Sequence, residues 1–257
     1  MLNVLGYRDF ILLGGYASAM SSSGLNKCNA QDPQAVTQRE VESFLYQLLD
    51  AKMLIRTGYG DENEYEIYDD RTFLSEVLDV YTGRGVVEDN SYTSLTGDSS
   101  LNQGNVKIGG LVFTMDFAKA KDLLGYSVEY YYRDTNDMDM PSLIWAQKLS
   151  SNQEVTVNYD QNITYSNWTY RYTREDSARE SRINVARDAN FIYNGKAIEA
   201  PFSQYVPENG TVTAIDNDGD GSYDVIKIYD YTIVVVGDII RSTYEVTDLY
   251  GRTEVFC

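Results

Sequence analysis

The chain has 257 residues, of which 39 are acidic and 21 basic, and it contains no histidine. A formal net charge of −18 excludes the basic surface that a nucleic-acid partner needs, and the missing imidazole excludes Ser or Cys triads of the usual kind. Hydrophobic residues make up 43 %, enough for a sizeable core and against wholesale disorder. Two cysteines, Cys28 and Cys257, cannot make a zinc site alone, and such sparse use fits both the cytosol and a Gram-positive surface. Tyrosine is the outlier at 23 residues; it suits half-buried strands, and it also suits sugar-binding faces. No stretch reaches the roughly 20 apolar residues of a membrane-crossing helix, and no membrane insertion is expected. The start does not read as a signal peptide either; Met1 runs straight into patterned sequence, and a piece of a longer protein is expected.

The first 55 residues read as helical. Tyr16 to Ser22 is a weak helix closed by Gly24, and Pro33 lies in the loop that follows. Thr37-Gln38-Arg39-Glu40 has the form of a capping box. Behind it, Val41, Phe44, Leu45, Leu48 and Leu49 line one face of a second helix. Past Ile55 a turn-rich acidic connection leads to an alternating strand at Tyr65–Tyr68, a helical turn within 72–77, and a strand pair over 80–88 interrupted by Gly83 and Gly85. Residues 92–103, rich in Ser, Thr, Gly and Asn, predict a loop or internal boundary.

From residue 104 onward the pattern is β. Val106–Phe113 forms a hairpin around Gly109-Gly110, and Asp116 caps a short helix that Gly125 ends. Tyr126–Tyr132 and Ser142–Ala146 pair across a solvated loop at 134–139. Val155–Tyr159, Ile163–Thr173 and Ser181–Ala186 are further strands; the second carries Trp168, with Arg171 and Arg174 in reach of its rings. Asn194-Gly195 makes the clearest hairpin turn, and 246–256 continues in β pattern.

The most informative stretch is the loop Asp216-Asn217-Asp218-Gly219-Asp220-Gly221-Ser222-Tyr223-Asp224, between the apolar strands 211–215 and 225–228. Carboxylates at its first, third, fifth and ninth positions, with glycine at the sixth, match the front of a calcium loop. Asp216, Asp218, Asp220 and Asp224, with the Ser222 carbonyl, supply most of the oxygens Ca²⁺ takes. Lys227 stands where an EF-hand has its bidentate Glu, and strands rather than helices flank the loop. The arrangement is similar to the calcium loops of integrin-type β-propeller blades. A plain solvated turn explains the same Asn, Asp and Gly residues without a metal.

Leu5-Gly6-Tyr7, Gly14-Gly15-Tyr16, Gly24-Leu25, Val36–Glu40 and Leu45–Leu49 together resemble a surface-layer homology module. That resemblance implies a helical pair anchoring a bacterial surface protein to polysaccharide attached to peptidoglycan, with Thr37, Arg39 and Glu40 as the binding residues. Gln38 stands where the family motif has Arg, and Arg39 where it has a small residue. Helix capping accounts for Thr37 and Glu40 without a ligand. Leu123–Tyr126, Tyr193–Lys196, Pro207–Thr213 and the acidic hairpin resemble the β-rich region that follows such modules in some Firmicutes surface proteins.

The sequence therefore predicts an α+β fold: a helical module over 1–55, a linker with short elements over 56–103, and a mainly antiparallel β domain over 104–257, as hairpins, barrel or sandwich. The expected function is a non-enzymatic structural protein of a bacterial cell wall or surface layer. It would be extracellular, stiffened by Ca²⁺, anchored to wall polysaccharide and capable of self-assembly. A carbohydrate-binding or glycoside-hydrolysing module and a virion structural protein are the alternatives.

Overall fold

The computed structural model describes residues 2–25, 37–58, 65–115, 118–134, 140–177, 179–199, 205–232, 234–240, 243–248 and 253–256. The fold is α+β and mostly β. Compactness divides the chain into one unit of Met1–Thr82 with Tyr131–Ser142 and a second of Gly83–Tyr130 with Leu143–Cys257. The expected boundary near 103 falls inside the second unit. Cys28, Cys257, Pro33, Val36, Asp116 and the 135–139 loop lie outside the described residues.

In the first unit, α1 (Arg8–Ser23) is broken at Gly15, whose φ of 77° and ψ of 169° are not helical. The expected helix is its second half, and Gly24 closes it in the left-handed conformation. α2 (Gln38–Leu49) opens on the expected capping box: Thr37 Oγ1 accepts the Glu40 N–H, and the Glu40 carboxylate accepts the Thr37 N–H at 2.8 Å. Its apolar face is only partly used. Leu48 is buried and Phe44 packs beside it, but Val41 and Leu45 are exposed. Leu48 joins Leu5, Tyr7, Ala19, Leu25, Ala51 and Leu54 in a small core. The hairpin β1 (Lys52–Arg56) and β2 (Tyr65–Thr72) follows, then the short α3 (Phe73–Leu78), capped by Thr72 and Ser75.

β3 (Val80–Asp89), β4 (Asn105–Ile108), β5 (Leu111–Met115), β6 (Ser127–Arg133) and β7 (Ser142–Lys148) close a barrel in the order β3-β4-β5-β7-β6. The expected strand pair over 80–88 is thus one continuous strand. Its glycines do not break it. A Cβ on Gly83 would stand 2.4 Å from the Tyr130 ring, so the missing side chain lets that ring lie across the strand. The helix expected to end at Gly125 is a 3-10 segment, Ala118–Leu123.

The larger sheet of the second unit contains β8 (Gln153–Asn158), β9 (Thr164–Ser166), β10 (Thr169–Thr173), β11 (Glu180–Tyr193), β12 (Lys196–Ile198), β13 (Gly210–Asp216) and β14 (Tyr223–Asp230). Its order is β8-β13-β14-β11-β10-β9, with β12 also pairing β11. Described pairings in it are antiparallel except β11 with β14. The strand expected over 163–173 is a hairpin. Asn167 and Trp168 take φ of 50° and 60° and turn the chain back on itself. One face of the sheet buries Val157, Tyr170, Ile183, Phe191, Val212, Ala214, Ile226 and Ile228. Alternation along β13 and β14 delivers these side chains to that face. A small antiparallel sheet, β15 (Val234–Ile240), β16 (Thr243–Asp248) and β17 (Thr253–Phe256), follows in chain order.

Candidate functional site

The acidic loop joins β13 to β14, whose ladder runs in register from Gly210↔Asp230 to Ile215↔Val225. That ladder delivers Asp216 and Asp224 to the same end of the hairpin. Asp216 is fully buried, and its two carboxylate oxygens accept the Gly219 N–H at 2.6 Å and the Gly221 N–H at 2.9 Å. Both glycines have positive φ, which turns their amides inward at little steric cost. Asp224 accepts the Asn217 N–H at 2.8 Å, and the Asn217 amide donates to the Gly125 carbonyl at 3.2 Å.

One carboxylate oxygen each of Asp216, Asp218 and Asp224 lies within 4.8 Å of the others. Two oxygens bound at about 2.4 Å to a shared Ca²⁺ stand at most about 4.8 Å apart, so the spacing fits that ion. Asp220 is not in the cluster; it is exposed and accepts the Ser222 N–H at 2.6 Å. Burial pushes the Asp224 carboxyl above its usual range, the Asn217 N–H pulls against that, and the neighbouring Asp218, Asp216 and Asp220 charges add to the rise. A divalent cation would remove that repulsion. The same hydrogen bonds also hold an ordinary Asx-rich turn together.

Thr37 and Glu40 spend their side chains on each other and on the α2 cap, and Arg39 is exposed beside them. Among the described residues, no helix is long and apolar enough to cross a membrane.

Three features were not legible in the sequence. Lys227 is a packed amine: its Nζ donates to the Leu124 carbonyl at 2.6 Å and lies 5.1 Å from the Tyr126 ring centre. Burial, helped by Lys148, lowers it to about 8 against the pull of Glu154 and Asp122. Asp230 pins the opposite end of the hairpin, accepting the Glu208 and Asn209 amides at 3.1 and 2.9 Å and the Tyr193 hydroxyl at 3.0 Å. The cation over Trp168 is Arg187, at 5.3 Å, rather than the expected Arg171 or Arg174.

The aromatic residues divide into two groups. Tyr165 and Tyr170 meet at 4.6 Å, and the buried Tyr170 hydroxyl donates to the Tyr205 carbonyl at 2.7 Å. Phe191 and Tyr205 stack at 4.2 Å. These rings are core. Trp168, half-buried at the turn, also borders a cleft of about 620 Å³ together with Phe191, Tyr205, Asn190, Asp98 and Glu199. Searches of protein-family models, curated proteins and solved structures found no match to the chain.

Proposed function

We propose that this protein is a non-enzymatic structural component of a bacterial cell surface. Its β-rich unit is stiffened by Ca²⁺ at Asp216, Asp218 and Asp224, with the Ser222 carbonyl adding to the oxygen set. Its N-terminal helices attach to wall polysaccharide through the exposed Arg39 end of α2. The convergence of three carboxylates within 4.8 Å at one end of a hairpin carries the reading. A net charge of −18 and calcium at extracellular concentrations agree with it, since modules outside the cell bind Ca²⁺ at roughly 10⁻⁴–10⁻³ M.

Titration calorimetry of the full chain tests the calcium part: binding in that millimolar range supports it, and no heat at saturating Ca²⁺ overturns it. Co-sedimentation with purified cell-wall sacculi tests the anchoring part. Full-length protein should pellet with the sacculi, and Arg39→Glu should reduce the pelleted fraction; equal retention of the variant removes the role of α2.

A further inference from the structure

The cleft beside Trp168 has a definite origin in the sheet. β10 pairs the first part of β11, ending at Thr169↔Asn184, while β12 pairs its last part, beginning at Phe191↔Ile198. Both lie on the same edge of β11. On the other side the β11–β14 register shifts between Val185 and Asn190. Among the described residues no strand covers the β10 and β12 edge between these points, and the cleft forms there. Ala189, Asn190 and Phe191 make its floor, Trp168 stands at the β10 side, and Glu199 follows β12 on the other.

Trp168 is the anomaly in this arrangement. It holds the second position of a tight Asn-X hairpin turn at a φ of 60°, where glycine is the residue that fits without strain. Glycine there would close the hairpin equally well but would leave the cleft without its indole wall. Strained residues held in place by their surroundings concentrate at binding sites. At this strained position a broad ring stands at the edge of a cavity whose size, about 620 Å³, is that of a small-ligand site.

We propose that this cleft binds an uncharged saccharide, one pyranose ring lying on the face of the Trp168 indole turned away from Arg187, which covers the other face and does not line the cleft. The apolar C–H face of a sugar suits an aromatic wall. Its hydroxyls suit the exposed Asp98 and Glu199 carboxylates as acceptors, with the half-buried Asn190 amide on the floor. Those two carboxylates turn away phosphorylated or uronic ligands, and the net charge of −18 turns them away at longer range. None of these residues belongs to the acidic loop or to α2, so the cleft stands apart from both the calcium and the anchoring readings.

The test uses the full chain carrying Trp145→Phe, which leaves Trp168 as the single indole. Its emission is titrated with glucose, galactose, mannose, N-acetylglucosamine and their trisaccharides, each up to about 50 mM, a range that covers weak pocket ligands. The expected result is a saturable emission change with at least one of them. Asp98→Asn and Glu199→Gln, at exposed positions the fold does not rely on, should each weaken that ligand at least about threefold, the loss of one charge-assisted hydrogen bond. By calorimetry on the otherwise native chain, Trp168→Gly should abolish the binding while keeping the turn. No saturable change with any of the sugars, or affinities that all three variants leave unaltered, overturns the proposal.

Discussion

Two tight turns of the same sheet make opposite use of local conformational rules. In the loop between β13 and β14, glycine occupies the positive-φ positions 219 and 221, and Asp216 caps the amides those glycines turn inward. In the turn between β9 and β10, Trp168 sits at a φ of 60° that a glycine would take more cheaply. The first turn is stable from its own residues, whereas the second persists because Trp168 packs on the Phe191 core and under Arg187. A turn that obeys its local rules can be read one residue at a time; a turn that breaks them has to be explained by what surrounds it.

Asp216→Ala should have the largest effect. It deletes a fully buried carboxylate and orphans two amides, so unfolding by urea should show a loss of about 3 kcal/mol without calcium and a larger one with it, because a metal ligand goes too. A loss confined to calcium-containing buffer would mean that the metal, and not the capping, holds the loop. Calcium itself comes next. At roughly ten to a hundred times its dissociation constant it should stabilise the chain by about 1.4–2.7 kcal/mol, and Asp218→Asn should remove most of that gain while leaving the metal-free protein unharmed.

The pH dependence sharpens the same contrast. Asp224 has a raised pKa in the folded state, so its ionised form disfavours folding. Without metal, Asp224→Asn should therefore be more stable than the parent at neutral pH. That advantage should shrink as the pH falls through the folded pKa of Asp224 toward the usual carboxylate value near 4. With Ca²⁺ present the order should reverse at neutral pH, because the ion needs the charge that the proton would remove; thermal melts across the range read both. Trp168→Gly should be the mildest: relief of the left-handed strain offsets lost packing, leaving stability within about 1 kcal/mol of the parent in the same urea assay. A loss of several kcal/mol would show that the indole is a core residue and not a wall kept for a ligand.

Much of the fold follows from near neighbours along the chain. Thr37 and Glu40 cap α2 because the two groups that bond are three residues apart. The hairpins at Gly109-Gly110 and Asn194-Gly195 follow from residues that accept positive φ, and the acidic loop is confined by its own spacing. The misreadings fall where a distant group decides. Gly83 interrupts nothing because Tyr130, far along the chain, needs the space. Val41 and Leu45 match a buried face by periodicity, yet the core they would join reaches only Leu48 and Phe44.

By itself the sequence determined the α+β class, the acidic turn in which three of the four carboxylates converge, the Gly24 end of α1 and the Thr37/Glu40 cap of α2, since each depends on residues close along the chain. Only the tertiary structure decided the closure of the barrel, the parallel pairing of β11 with β14, the packed amine of Lys227 and the cleft beside Trp168. Those features join segments that no local pattern brings together, and their energies come from packing and burial that exist only once the sheet has formed.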